Sequence, residues 1–379
     1  MKFKSYVIFF ILFGVLADVW ICCVPLQGAA LGFKLLVCLP TAVNFVCLPF
    51  IKAGVKYTDL VRIFSWLTFI CELPKTVFTL FSMVGRLWHS PAVADWIALG
   101  FGGALSLTFM TLIFFVTTHL QVNNLELSFK DLPKGFDGLR ICQLSDFHLG
   151  SFGKANRYIH RIIDKTLALA PDVIFFTGDL VNFESREAVP YLGDLARLKA
   201  PLGIFAIRGN HDYLLHGPHE GQAREEDTAK LLDMERGLGW NVLLNSCATL
   251  SRGGDTLAVV GVENVSKNPF FLKTGGDLPL ALKDLPSGIF KILLSHDPTH
   301  WRSEVVPRGD IELTLSGHTH GLKYKLVGLH VSHWRLHESG GIYTEGSQVL
   351  HVSEGLGSAF AFRLGGFPKI DILTLRKRN

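Results

Sequence analysis

Between Trp96 and Val116 the chain runs for 21 residues without a charge. A helix of that length crosses a hydrocarbon core of roughly 30 Å, so this stretch points to a membrane. Three further apolar runs precede it. Tyr6–Val24 is interrupted only by Asp18, Leu31–Ile51 contains Lys34, Pro40 and Pro49, and Leu60–Leu87 contains Arg62, Glu72, Pro74 and Lys75. A signal peptide accounts for the first run, with Lys2 and Lys4 ahead of an apolar segment, but leaves the other three unexplained. The expectation is an all-α, multi-span anchor of about four helices over residues 1–120, followed by a second domain over 121–379. Asp18 and Glu72 show no evident charge partner in the sequence and are read as facing a bundle interior or an interface rather than lining a proton path.

With 37 basic and 33 acidic side chains the net charge is +4, spread along the chain rather than gathered in a block, so no nucleic-acid partner is expected. Lys2 and Lys4 before the first span, and Lys52, Lys56 and Arg62 around the second loop, outnumber Lys34 and Arg86 on the other two loops. The positive-inside bias then puts the N-terminus in the cytoplasm, and an even number of spans returns the chain there, where Lys130 and Lys134 follow. Five of the seven cysteines lie in the apolar front part and none shows a paired spacing, which fits a soluble domain in a reducing compartment.

Beyond residue 120 the pattern changes. Leu120–Phe129 alternates apolar and polar residues as an edge strand does, and a turn through Pro133, Gly135 and Gly138 leads to the apolar run Leu139–Leu144. Helical spacing is expected over Ala155–Ala170, Glu187–Leu198 and Glu225–Arg236. Strands are expected at Asp172–Phe176, Gly203–Ile207, Asn241–Leu250, Thr256–Val262, Phe290–Leu294 and Ile311–Leu315. Repetition of strand, polar tip and helix describes an α/β domain, whose ligands bind at the carboxyl ends of the strands.

Five of those tips carry metal-ligating residue types: Asp146 with His148, Asp179, Asn210 with His211, His296, and His318 with His320. Singly each has a structural explanation, as a helix cap, a turn residue or a hydrogen-bonded core histidine. Together they form an inventory of N and O ligands for two cations roughly 3.5 to 4 Å apart sharing a carboxylate. A His, Asp and Asn set without thiolate suits manganese, iron or zinc.

The motifs D-x-H, G-D, G-N-H-D, S-H-D-P and G-H-T-H, in that order, resemble those of the calcineurin-like metallophosphoesterase superfamily. The resemblance covers residues from about 138 to the C-terminus, and V-S-E-G-L-G-S at Val352–Ser358 is similar to the membrane-anchored bacterial branch. It implies a two-sheet α/β sandwich and a phosphoric ester hydrolase in which a metal-bridging hydroxide attacks phosphorus in line. Carried over by position, it implies that Asp146, His148 and His320 hold one metal, that Asn210, His296 and His318 hold the other, and that Asp179 bridges them. His211 would protonate the leaving group, oriented by Asp212. The implied setting is a bacterial inner membrane with a cytoplasmic catalytic domain.

The tether motivates a phosphodiester or pyrophosphate substrate in a lipid or nucleotide-lipid, and some anchored relatives cleave a UDP-linked diacylglucosamine. The same residues leave open a phosphomonoesterase or protein phosphatase, or a membrane sensor that binds without turnover. Leu322 stands where many members of the branch have a second glycine, which bears on the substrate groove. His216 and His219 lie in a loop rich in Gly, Pro and charge, read as a lid or solvated turn rather than a third metal site. Trp334, among His330, His333 and His337, marks an insert suited to a headgroup or to packing.

Overall fold

The computed structural model describes residues 3–26, 28–52, 58–88, 90–152, 157–266, 274–320, 325–326, 329–330, 337–359, 363 and 366–378. These residues divide into two compact units, one running up to Val116 and the other from Thr117 through the C-terminal strand.

The first unit is helical: α1 (Phe3–Cys23), α2 (Leu31–Lys52), α3 (Thr58–Leu67), α4 (Leu73–Leu87) and α5 (Pro91–Met110). A π-helical turn at Thr68–Glu72 joins α3 to α4, and Pro74 follows at the start of α4. A proline is tolerated there because the wider turn already interrupts the i to i−4 ladder. Arg62–Leu87 and Pro91–Thr118 are therefore helices long and apolar enough to cross a membrane, whereas Ile11–Cys23 and Leu31–Cys47 are shorter apolar stretches.

Asp18 and Glu72 do have a charge partner, contrary to the sequence reading. Lys75 Nζ lies 2.6 Å from Asp18 Oδ1 and 3.0 Å from Glu72 Oε2, and donates to Thr41 Oγ1 at 2.8 Å. One lysine thus ties α4 to α1 and α2. Since 57 residues separate Lys75 from Asp18, no local pattern reveals the pair.

The second unit contains two six-stranded sheets. Its strands are β1 (Gln121–Phe129), β2 (Arg140–Leu144), β3 (Val173–Phe176), β4 (Ile204–Ala206), β5 (Asn241–Val242), β6 (Ser246–Arg252) and β7 (Asp255–Gly261). They continue as β8 (Lys291–Leu294), β9 (Leu313–Ser316), β10 (Lys325–Leu326), β11 (Leu329–His330), β12 (Gly341–Glu345), β13 (Gln348–Val352) and β14 (Lys369–Lys377). One sheet has the order β1-β14-β2-β3-β4-β5 and the other β12-β13-β9-β8-β7-β6, while β10 and β11 form a separate pair. β1 is an edge strand, as its alternation predicts.

Strand geometry sends alternate side chains to opposite faces, and both faces of the central strands are buried, which is why these runs are apolar throughout. From β2 and β3, Ile141, Val173 and Phe175 enter the layer between the sheets and meet Val259, Ile292, Leu294, Leu313 and Leu315. Cys142, Leu144, Ile174 and Phe176 point the other way, onto Ile159, Ile162 and Ile163 of α6 (Arg157–Ala168). Each such buried side chain contributes of order 1.5–3 kcal/mol. Gln143 is the polar exception: fully buried, it donates to Thr177 Oγ1 and the Ser316 carbonyl and pairs with His351 Nδ1 at 2.7 Å. It links the two sheets beneath the tips of β2, β3 and β9.

Two expected elements differ. Glu187–Leu198 is not one helix: Pro190 and Gly193 leave short 3₁₀ turns and the single helical turn α7 (Leu192–Leu195). The run Asn241–Leu250 is not one strand, because Asn245 takes φ 50 and the chain passes from β5 in the first sheet to β6 in the second. The helix expected over Glu225–Arg236 extends over Gly221–Gly237 as α8.

Candidate metal centre

Where β2, β3 and β9 end, the backbone turns left-handed. Asp146 (φ 53), His148 (φ 48), Asp179 (φ 61), His318 (φ 71) and His320 (φ 50) all take this conformation. It costs a non-glycine residue of order 1–3 kcal/mol and persists only where its surroundings fix it. Here they do. Asp146 N donates to the Gly178 carbonyl at 2.9 Å, His148 N to the Asp179 carbonyl at 3.1 Å, and His318 N to the Asp146 carboxylate at 3.1 Å. Gly178 (φ 96) and Gly209 let the β3 and β4 tips touch, since a Cβ at Gly209 would overlap the Asp179 carboxylate.

The result is convergence of side chains from both sheets. The ligand atoms of Asp146, His148 and His320 lie within 4.8 Å of one another, as do those of Asp179, His296 and His318, and those of His148, Asp179 and His211. Asp179 Oδ2 is 3.2 Å from His296 Nε2 and 3.5 Å from His148 Nε2. The Nε2 atoms of His148 and His320 approach to 3.2 Å. Asn210 is buried, and among the described residues its Oδ1 has no hydrogen-bond partner.

The electrostatics of the protein groups alone follow from burial and from these neighbours. Burial pushes the Asp146 carboxyl up to about 6 and the His148 imidazole down to about 3. Burial likewise lowers His318 and His320. For His296 burial opposes the charge, but the Asp179 carboxylate facing it wins and lifts the imidazole to about 10. A divalent cation would displace that proton. The donor set fits such ions: neutral imidazoles, carboxylates and a buried amide oxygen that lacks a donor.

Sequence reasoning missed Asn182 and misassigned Asp212. The carboxylate of Asp212 accepts from the backbone N–H groups of Asp179 (2.7 Å), Gly209 (2.9 Å), Leu180 (2.8 Å) and Val181 (3.3 Å). It therefore builds the turn that carries Asp179 rather than orienting His211. The His211 ring is held instead through Nδ1 by the Asn182 carbonyl, 2.9 Å away. His216 is exposed, with its ring centroid 5.6 Å from that of His211; among the described residues neither it nor His219 joins a metal-ligating group. Leu322 and Trp334 lie outside the described residues.

Comparison with known proteins agrees with this geometry. A family model described as calcineurin-like phosphoesterase matches residues 139–322. An uncharacterized metallophosphoesterase of Bacillus subtilis, YkuE, is 30% identical over 260 residues, which is 65% of this chain and 82% of the relative. The chain belongs to the calcineurin-like metallophosphoesterase family. Another relative is the UDP-2,3-diacylglucosamine pyrophosphatase LpxG of Chlamydia trachomatis, 29% identical over 67% of this chain and 90% of its own. A transmembrane protein with metallophosphoesterase domain from Danio rerio is 29% identical, over 53% of this chain and 44% of the relative. As a metallophosphoesterase, the chain is a metal-dependent phosphoric ester hydrolase.

Asp212→Asn keeps one acceptor oxygen and replaces the other with a donor facing amide N–H groups. It is expected to destabilise the catalytic unit by roughly 2–3 kcal/mol, read as a lowered thermal midpoint. An unchanged midpoint with a shifted pH–rate profile would instead restore Asp212 as the partner of His211.

Proposed function

We propose that the protein is a membrane-anchored two-metal phosphoesterase that cleaves a phosphodiester or pyrophosphate in a lipid or nucleotide-linked lipid. The observation that carries this reading is Asp179, whose carboxylate is shared between the His148 side and the His296 side of the centre. On this reading Asp146, His148 and His320 ligate one ion, Asn210, His296 and His318 the other, and Asp179 bridges them. The ions are manganese, iron or zinc. They supply charge that neutralises the phosphate and lower the pKa of water toward neutrality.

The chain's own groups do the rest. His211 is half-buried, and its Nδ1–H is engaged by a carbonyl, so Nε2 is the atom left to carry a proton to the leaving oxygen. General-acid help of this kind is worth typically 10²- to 10⁴-fold. Asp212 holds the bridging carboxylate in place through the backbone.

Residues 1–120 would be the anchor and 121–379 the catalytic domain. The two long apolar helices support the anchor, and the distribution of Lys and Arg supports a multi-pass inner-membrane protein with its catalytic domain in the cytoplasm. A lipid-linked substrate is supported by the relative named for UDP-2,3-diacylglucosamine.

Asp179→Asn is expected to abolish manganese-dependent turnover of bis-p-nitrophenyl phosphate with the fold intact; full activity would refute the bridge. His211→Ala is expected to slow substrates with poor leaving groups by 10²-fold or more while sparing activated esters. Equal losses on both would remove its acid role. A reporter fused to the C-terminus should be active only in the cytoplasm, and activity on the other side would invert the topology.

A further inference from the structure

A chain of hydrogen bonds behind the centre fixes more than position. Ser151 Oγ donates to the Ser358 carbonyl at 2.6 Å, and a carbonyl can only accept. With its proton committed, Ser151 Oγ accepts from Asn182 Nδ2 at 2.9 Å. That orients the Asn182 amide, which leaves Oδ1 facing His148 Nδ1 at 2.7 Å. Oδ1 also only accepts, so the His148 proton sits on Nδ1 and the Nε2 lone pair points toward Asp179 and Asp146, 3.5 and 3.9 Å away. The direction of every bond in this relay is set by the backbone oxygen of Ser358.

Asn182 is buried and anchored at its other end: its N–H donates to Glu187 Oε2 at 2.6 Å, and its carbonyl receives His211 Nδ1–H. One residue thus faces both imidazoles beside the bridging carboxylate, through the side chain to His148 and through the main chain to His211. We propose that Asn182, locked by Ser151 and Ser358, is a positioning residue that fixes the His148 tautomer and so sets the affinity of the centre for its metal. The V-S-E-G-L-G-S segment is then part of the metal site by way of Ser358. This rests on the two-metal reading above.

The side chain can be tested without disturbing the main-chain contact to His211. Outer partners of a ligating histidine typically change metal affinity by 10- to 100-fold. For the full-length protein in detergent, Mn²⁺ affinity is measured by equilibrium dialysis with metal analysis. Asn182→Ala is expected to weaken binding 10- to 100-fold, with turnover recovering at saturating Mn²⁺. Asn182→Asp keeps an acceptor for Nδ1–H and should stay within a few-fold of wild type. Ser151→Ala frees the amide to turn and should cost several-fold; it reports on the relay even if Asn182→Ala fails to fold. Wild-type affinity in both Asn182→Ala and Ser151→Ala, or in Ser151→Ala alone where the former is unfolded, overturns the proposal. Loss in Asn182→Asp equal to that in Asn182→Ala also overturns it, because packing rather than the acceptor would then matter. If wild type binds none of Mn²⁺, Fe²⁺ and Zn²⁺ in the same dialysis, the two-metal reading fails first and takes the proposal with it; if it binds Fe²⁺ or Zn²⁺ but not Mn²⁺, the same variants are compared with that ion.

Discussion

A single buried carboxylate, that of Asp212, gathers the backbone amides of Asp179, Leu180, Val181 and Gly209. Hydrogen bonds from amides to a charged acceptor are worth roughly 1.5–3 kcal/mol each, and four of them outweigh the cost of left-handed backbone at Asp179. With the β3 and β4 tips fused in this way, Asp179 Oδ1 also accepts from His211 N at 2.9 Å. The bridging candidate and the acid candidate are consequently held in one rigid corner rather than on separate loops.

The second sheet supplies the remaining side chains by the same logic. His296 follows β8 and donates through Nδ1 to the Thr177 carbonyl at 2.7 Å, which aims Nε2 at Asp179. His318 and His320 follow β9, whose end is tied to β2 through the Asp146 carboxylate. Beneath them Gln143 spans the inter-sheet layer with all its polar atoms engaged, as a buried polar group must. Precision at the tips therefore depends on two sheets whose strands come from distant parts of the chain.

Much of this was legible in the sequence because apolar runs buried on both faces mark strands, and ligand-type residues stood at their ends. Asp146, His148, Asp179, Asn210, His211, His296, His318 and His320 all sit at the tips where that pattern put them, and Asn210 and His211 enter the same turn after β4. What stayed hidden was non-local. Asp212 adjoins His211 in sequence, so it looked like a partner, yet three of the four amides its oxygens face lie more than 30 residues away. Asn182 reads as a loop residue until the fold brings His148 to it. The split at Asn245 depends on a single left-handed residue, and the Lys75–Asp18 pair depends on helix packing.

The central claim is that Asp179 joins two ions in one centre. The direct measurement is the number of Mn²⁺ ions bound per chain in the purified full-length protein, with low-temperature electron paramagnetic resonance to detect magnetic coupling between them. Two ions roughly 3.5 to 4 Å apart and sharing a carboxylate should be coupled. The account predicts two Mn²⁺ per chain with a coupled spectrum that is lost in Asp179→Asn; one ion per chain, or two that behave as isolated centres, would contradict it.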